Sequence, residues 1–190
     1  MVDEAASRLV AGLGNPGDRY RDTRHNVGFR VLEELARRRG WACSREECAS
    51  LVAGPADVLL VKPQTFMNRS GHALRCFSER LGLTSTDLLV VYDEVHLPLG
   101  KLRLRPGGSP AGHRGLESVL ENLGTDQVPR LRLGVGVEGM PAGSDLPDFV
   151  LSPFTADERE ATEAMIRRAA DACDAWLEQG IDWAMGRFNG

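Results

Sequence analysis

Lysine is nearly absent from this chain. Of 23 basic residues among 190, only Lys62 and Lys101 are lysine, and the others are arginine. A coding preference for arginine explains this bias as well as a demand for two-pronged phosphate contacts does, so it assigns no partner by itself. Cysteine is also sparse. Cys43, Cys48, Cys76 and Cys173 are too few for a disulfide-dependent scaffold, and the close pair Cys43 and Cys48 has no second ligand pair nearby to complete a zinc site. Free thiols in a reducing compartment are expected. No apolar run approaches the ~18 residues needed to cross a bilayer. The start, Met1-Val2-Asp3-Glu4, lacks the basic residues and greasy stretch of a secretory leader. A cytoplasmic globule without membrane contact is the expectation.

The length suits one domain, taken as 1–190, that buries roughly 70% of its unfolded surface. Acidic residues number 27, giving a net charge of −4, but the charge is unevenly spread. Residues 1–97 are balanced. Residues 98–132 hold six basic side chains (Lys101, Arg103, Arg105, Arg114, Arg130 and Arg132) against three acidic, and residues 133–190 hold four against eleven. A basic island in an acidic protein can take phosphates locally while the remainder discourages unspecific nucleic-acid binding.

Apolar periodicity predicts alternating strands and helices. Arg8–Leu13 and Leu88–Tyr92 read as buried strands, and Ala49–Ala53 and Val58–Lys62 as strands separated by Gly54-Pro55. Val27, Val31 and Leu35 predict a helix from about Asn26 to Arg39 stopped by Gly40. Leu74, Phe77 and Leu81 share a helical face ending at Gly82, and Leu116, Val119, Leu120 and Leu123 share one ending at Gly124. Alternation at Lys101–Arg105 and Arg130–Val137 predicts two half-exposed strands. Thr155-Ala-Asp-Glu158 has the form of a capping box opening a helix to about Gln179, and Glu138–Pro147 reads as a surface loop. The pattern predicts a single α/β domain with a mixed, twisted sheet flanked by helices in three layers.

Gly12-Leu-Gly14-Asn-Pro-Gly17 fits a dinucleotide-binding fingerprint only superficially. Pro16-Gly17-Asp18 makes a turn where that fold needs a helix, and the acidic residue expected about twenty positions on is missing from a strand end. The stretch Tyr20-x-x-Thr23-Arg24-His25-Asn26-x-Gly28 places a histidine just before a helix, where it can stay partly solvated and act as a base. Lys62-Pro-Gln-Thr-Phe66-Met67-Asn68 brings an amide to one strand end, and Val90-Val-Tyr-Asp93-Glu94 brings a carboxylate to another. Strand carboxyl ends are where open α/β sheets bind ligands. A carboxylate on one imidazole nitrogen frees the other to take a proton. No G-x-S-x-G elbow occurs and no cysteine lies in these motifs, which favours an activated water over a covalent nucleophile. Pro106-Gly-Gly-Ser-Pro-Ala-Gly112-His113-Arg114-Gly115 is a side-chain-poor loop suited to a lid or to a polymer backbone.

Taken together, G-L-G-N-P-G with Tyr20 and T-R-H-N-V-G-F, then K-P-Q-T-F-M-N-x-S-G, Y-D-E, L-P-L-G-K-L-R-L-R and G-G-x-x-x-G-H-x-G-L resemble the bacterial-type peptidyl-tRNA hydrolases from about Leu9 to Phe188. The resemblance implies a single α/β domain that cleaves the ester between a peptide and the terminal ribose of tRNA. It implies His25 as the base that activates water and Asp93 as the group holding its imidazole. Asn15 would meet the peptide-side carbonyl and favour a blocked over a free aminoacyl group. Asn68 would position water or donate to the oxyanion. Tyr20, Phe66 and Met67 would line the cleft, His113 and Arg114 would meet substrate, and Lys101, Arg103 and Arg105 would grip tRNA phosphates. No metal, cofactor or obligate protein partner is implied, and a monomer is expected.

Two positions depart from the pattern. Arg114 stands where that family usually has asparagine, and Gly134-Val-Gly136 is followed by Val137-Glu138 in place of Arg-Pro. The alternative is a non-hydrolytic RNA-binding or RNA-processing relative, with Trp41, Trp176 and Trp183 as candidates for a partner-facing surface.

Overall fold

The computed structural model describes residues 8–190, so the stretch Met1–Glu4 lies outside the described residues. Along the chain, β1 (Arg8–Gly12) leads to α1 (Val27–Arg39), β2 (Arg45–Glu47), β3 (Ser50–Ala53) and β4 (Val58–Pro63). Then come α2 (Ser70–Leu81), β5 (Leu88–Pro98), β6 (Leu102–Arg105), α3 (Arg114–Leu123) and β7 (Arg130–Gly136). The chain finishes with α4 (Leu146–Val150), α5 (Arg159–Gln179) and α6 (Ile181–Phe188). The seven strands form one sheet in the order β2-β3-β4-β1-β5-β7-β6. Strands β4, β1, β5 and β7 are parallel, while β2, β3 and β6 add antiparallel edges.

The central strands are apolar on both faces because both are covered. On one face Val10, Leu60, Leu89, Val91, Leu131 and Leu133 pack on α1, α5 and α6; on the other Leu9, Ala11, Val61, Val90 and Tyr92 pack on α2 and α3. The result is the expected three-layer α/β arrangement. Gly40, Gly82 and Gly124 end their helices in the left-handed conformation, as expected. The early glycines serve a different end from phosphate binding. A Cβ on Gly28 would come within 2.4 Å of the Val91 carbonyl oxygen, and one on Gly12 within 2.4 Å of the Gly28 oxygen. Only bare backbone lets the first turn of α1 sit directly on the ends of β1 and β5.

Several expectations need correction. Cys48 and Cys76 form a disulfide, so they are not free thiols; only Cys43 and Cys173 are free. Their separation of 28 residues hid the contact, which arises because the β2–β3 turn folds onto α2. Closing a loop of that length is worth about 3–4 kcal/mol in the chain-entropy view. Ala49 belongs to that turn, with φ +52°, and not to a strand. Strand β5 runs past Tyr92 to Pro98 because β7 continues to pair with it. The box at 155–158 does not open the helix: the Glu158 carboxylate accepts from the Thr155 N–H but also pairs with Arg24, and α5 starts at Arg159. The end of the expected surface loop at 138–147 enters α4. Strand β2 and helix α6 were unanticipated, the first because Arg45-Glu46-Glu47 is an exposed edge without alternation. Trp176 is core and Trp41 packs against it, leaving only Trp183 half exposed.

Candidate active site

The site lies beyond the ends of β1 and β4 and over the middle of β5, so Asp93, expected at a strand end, is an internal residue of the longer strand. Beyond β1, the Asn15 N–H donates to Asn26 Oδ1 and Asn26 Nδ2 donates back to the Asn15 carbonyl, both at 2.9 Å. This two-way clasp joins the turn after β1 to the turn before α1. Asn15 Oδ1 accepts the Met67 N–H at 2.8 Å, which fixes its amide with oxygen towards the 3-10 turn at Met67–Arg69 and leaves its NH2 as the group to offer elsewhere. Arg24, almost fully buried, binds the Glu158 carboxylate through two contacts and also donates to the Pro153 carbonyl and the Ser152 hydroxyl. Its guanidinium lies between the rings of Phe149 and Phe154 at 4.4 and 5.0 Å. The segment around α4 is thereby anchored beside His25.

His25 presents Nδ1 to Asp93, 2.8 Å from Oδ1 and 3.0 Å from Oδ2. Asp93 is buried at the point where β5 leaves the sheet centre. A second imidazole reaches the same carboxylate: His113 Nε2 lies 3.0 Å from Asp93 Oδ1. His113 Nδ1 accepts the Leu116 N–H at 3.1 Å, capping α3. A neutral imidazole that accepts at Nδ1 carries its proton on Nε2, so His113 donates to Asp93. His25 Nδ1 donates likewise, and its Nε2 has no partner among the described residues. The ring of His25 is 14% exposed and faces the cleft.

Burial disfavours the charged form of His25, but the charge and hydrogen bond of Asp93 outweigh it and raise the pKa above the ordinary imidazole value; the Arg114 guanidinium pushes weakly the other way. Burial also opposes the charge on Asp93, yet His25 and His113 hold its carboxyl well below the usual range. Tyr92, whose ring packs on His113 at 4.7 Å, is pushed by burial up to about 12 and stays neutral near pH 7. His25, Asp93 and His113 offer three ligand atoms within 4.8 Å of one another. The N···O distances are those of N–H donors on a carboxylate, and a metal would have to displace both protons.

The cleft has a volume of about 470 Å³. Asn15, Met67 and Asn68 line one side, Arg114 and His96 another, and Leu146, Val150 and Leu151 form an apolar wall. Phe66 stands at the rim, 59% exposed. No serine, threonine, cysteine or lysine side chain lines the cleft among the described residues. Tyr20, expected to line it, is not among the residues that line the cleft; the Arg19 guanidinium lies over its ring at 5.5 Å.

The strand register arranges the basic island. Arg103 lies opposite Arg132 and Arg105 opposite Arg130, four cations on one face of the β6–β7 pair. Facing like charges repel unless neutralised. Arg132 is neutralised by Glu94 at 2.6 Å, and Arg130 is buried with donors on the carbonyls of Val128, Ser109 and Asp126. Arg103 and Arg105 are exposed and, with Lys101 and Arg114, make no ion pair among the described residues. Sequence reasoning missed the Asn26 clasp, the Glu94–Arg132 pair and the wall formed by α4. The alternation at Arg130–Leu133 was the one signal that could have placed Arg132 beside Arg103.

The sequence profile described as Peptidyl-tRNA hydrolase matches residues 9–190. This chain belongs to the peptidyl-tRNA hydrolase family. The peptidyl-tRNA hydrolase of Carboxydothermus hydrogenoformans is 45% identical over 185 residues, covering 95% of this chain and 97% of that protein. That of Methylacidiphilum infernorum is 44% identical over 182 residues. The crystal structure of peptidyl-tRNA hydrolase from Acinetobacter baumannii superposes with a TM-score of 0.89 at 30% identity, covering 97% of this chain and 96% of that one. Similarity over the full sheet and both helical layers makes the chain an enzyme of this family.

Proposed function

We propose that His25 is the general base of a direct hydrolysis, in which water attacks the ester carbonyl between peptide and tRNA without a covalent intermediate. The observation that carries this reading is the imidazole held at Nδ1 by a buried carboxylate with Nε2 free in the cleft. Nε2 takes a proton from water as the oxygen bonds to the carbonyl carbon. Asp93 stabilises the imidazolium, which then gives its proton to the departing ribose oxygen. The cleft's lack of a hydroxyl, thiol or lysine amine supports water as nucleophile. Asn68 supplies an exposed amide at the cleft for the water or the developing oxyanion. The Asn15 NH2 suits the peptide-side carbonyl, a contact that favours a blocked over a free aminoacyl group.

Lys101, Arg103 and Arg105, which make no ion pair among the described residues, are suited to tRNA phosphates. Arg114, with five donors and no acceptor, replaces a donated contact but not an accepted one; we place it against a phosphate or carbonyl near the tRNA 3′ end. His113 has both ring nitrogens bonded within the chain and serves to hold Asp93, not to hold substrate. The reading is of a monomer. The test is purified protein on N-acetyl-aminoacyl-tRNA, with free aminoacyl-tRNA as control. Rapid hydrolysis of the blocked substrate alone is expected. Tight tRNA binding without hydrolysis would establish the RNA-binding alternative.

A further inference from the structure

Strand β6 is an outer strand of the sheet, with β7 on one side and no strand on the other among the described residues. Main-chain groups along such a strand point alternately towards the partner and away from it. The Lys101 carbonyl accepts the Gly134 N–H of β7 at 2.8 Å, so Lys101, Arg103 and Arg105 turn their main chain inward. Leu102 and Leu104 turn theirs outward. The Leu104 groups are nonetheless satisfied: its N–H donates to Asn189 Oδ1 at 2.6 Å, and its carbonyl accepts from Asn189 Nδ2 at 3.1 Å. A carboxamide carries the donor and acceptor of a peptide group. Asn189 therefore stands in for one residue of a further strand.

The seating of α6 brings Asn189 to this edge. Gly180, at φ +83°, separates α5 from α6 in a conformation that favours glycine, and α6 packs back onto β6. Met185 and Phe188 pack against the core cluster that contains Leu102 and Leu104. The Asn189 N–H caps α6 on the Met185 carbonyl, and Arg168 of α5 donates to the Phe188 carbonyl at 3.2 Å. The amide is thus held by the helical layer behind β6, while the exposed Arg103 and Arg105 project from the other face.

We propose that Asn189 is a positioning residue for the tRNA, closing the outer edge of β6 so that Arg103 and Arg105 engage the phosphate backbone as a fixed pair. The inference rests on the reading above, in which these arginines take the tRNA. Leu104 is the residue between them, and the two side chains emerge about 7 Å apart along the strand. An edge strand of four residues, paired on one side only, opens readily. Clasping its middle from the outer side leaves the arginines less freedom to lose when RNA binds. Neither Leu104 nor Asn189 lines the cleft, so the effect belongs to binding and not to the chemical step.

The experiment measures kcat and KM on N-acetyl-aminoacyl-tRNA and on the same acyl group esterified to a trinucleotide of the tRNA 3′ end. Asn189→Leu, similar in shape but without either hydrogen bond, should raise KM for whole tRNA about fivefold, the size of one ordinary hydrogen bond. Its kcat, and both constants on the short substrate, should match the native protein. The salt dependence of tRNA binding should flatten by about one unit of slope or less. The deciding arm is a mutant cycle. In an Arg103→Ala/Arg105→Ala background, Asn189→Leu should have no further effect on KM. An unchanged KM for whole tRNA, an equal loss on both substrates, or a loss that persists in that background overturns the positioning role and leaves the role of the arginines standing. If the Arg103→Ala/Arg105→Ala protein binds tRNA as the native protein does, the reading of β6 as the tRNA face falls, and this inference with it.

Discussion

The loop at 13–26 and the loop at 106–113 each bring an imidazole to Asp93, one from either side. The first loop is held by its own side chains: the Asn15–Asn26 clasp, the Arg24–Glu158 pair, and the close seat of Gly28 on the sheet. The second is poor in side chains and is held from outside, by Arg130 on the Ser109 carbonyl and the Asp126 carbonyl on the Gly108 N–H. The difference matches the chemistry proposed for each ring. His113 is spent on both nitrogens, capping a helix and donating to Asp93. His25 is spent on one. Two histidines with similar surroundings thus differ in the one property a base requires, an unoccupied nitrogen facing the cleft.

His25→Ala is the sharpest way to break the comparison. It should lower kcat by about 10²–10⁴-fold while tRNA affinity, measured by filter binding, stays unchanged. An equal loss in His113→Ala would make the two rings equivalent and remove the distinction.

Arg24→Met tests the anchoring of the first loop. Removing one partner of a buried ion pair leaves Glu158 uncompensated, and about 3–5 kcal/mol of stability should be lost. Denaturant titration reads this directly.

Asp93→Asn and His113→Asn should move the acid limb of the pH–rate profile in opposite directions. The raised pKa of His25 means that the base is disabled as pH falls through a value above the ordinary imidazole range. Without the carboxylate charge, burial and the Arg114 charge remain and the limb moves to lower pH, with a smaller loss of rate than in His25→Ala. His113→Asn retains a good helix cap but removes a donor from Asp93, so the carboxylate pulls harder on the His25 proton and the limb moves to higher pH. Shifts of the same sign in both variants would contradict the shared-acceptor geometry. The smallest effect is expected from Arg103→Ala, which should raise KM severalfold, leave kcat nearly intact and flatten the salt dependence of binding by about one unit of slope. An unchanged slope would place the tRNA on another face.

Much of the fold could be read locally. The apolar runs of β1, β4 and β5, the helical stripes of α1, α2 and α3, and the glycines that stop those helices each depend on neighbours a few residues away. The sites where reading failed share the opposite property. The Cys48–Cys76 bond and the pairing of Glu158 with Arg24 in addition to the Thr155 N–H depend on segments far apart in the chain. Strand β2 carries no pattern of its own and exists because β3 pairs with it.

The sequence by itself determined which residue types stand at the turns and strands of the site: an amide at 15, an imidazole at 25, an amide at 68, a carboxylate at 93, and a basic run from 101 to 105. Turn chemistry and periodicity are local, so these placements needed no knowledge of the fold. Only the tertiary structure decided which of them meet. The parallel order β4-β1-β5-β7 collects Asn15, His25, Met67 and Asp93 at one edge, and the β6–β7 register leaves Arg103 and Arg105 unpaired while Glu94 neutralises Arg132. Likewise, the meeting of His113 with Asp93, twenty residues away, occupies the Nε2 of that ring. These are contacts between segments distant in sequence, fixed by burial of two apolar faces against one sheet, and no local pattern encodes them.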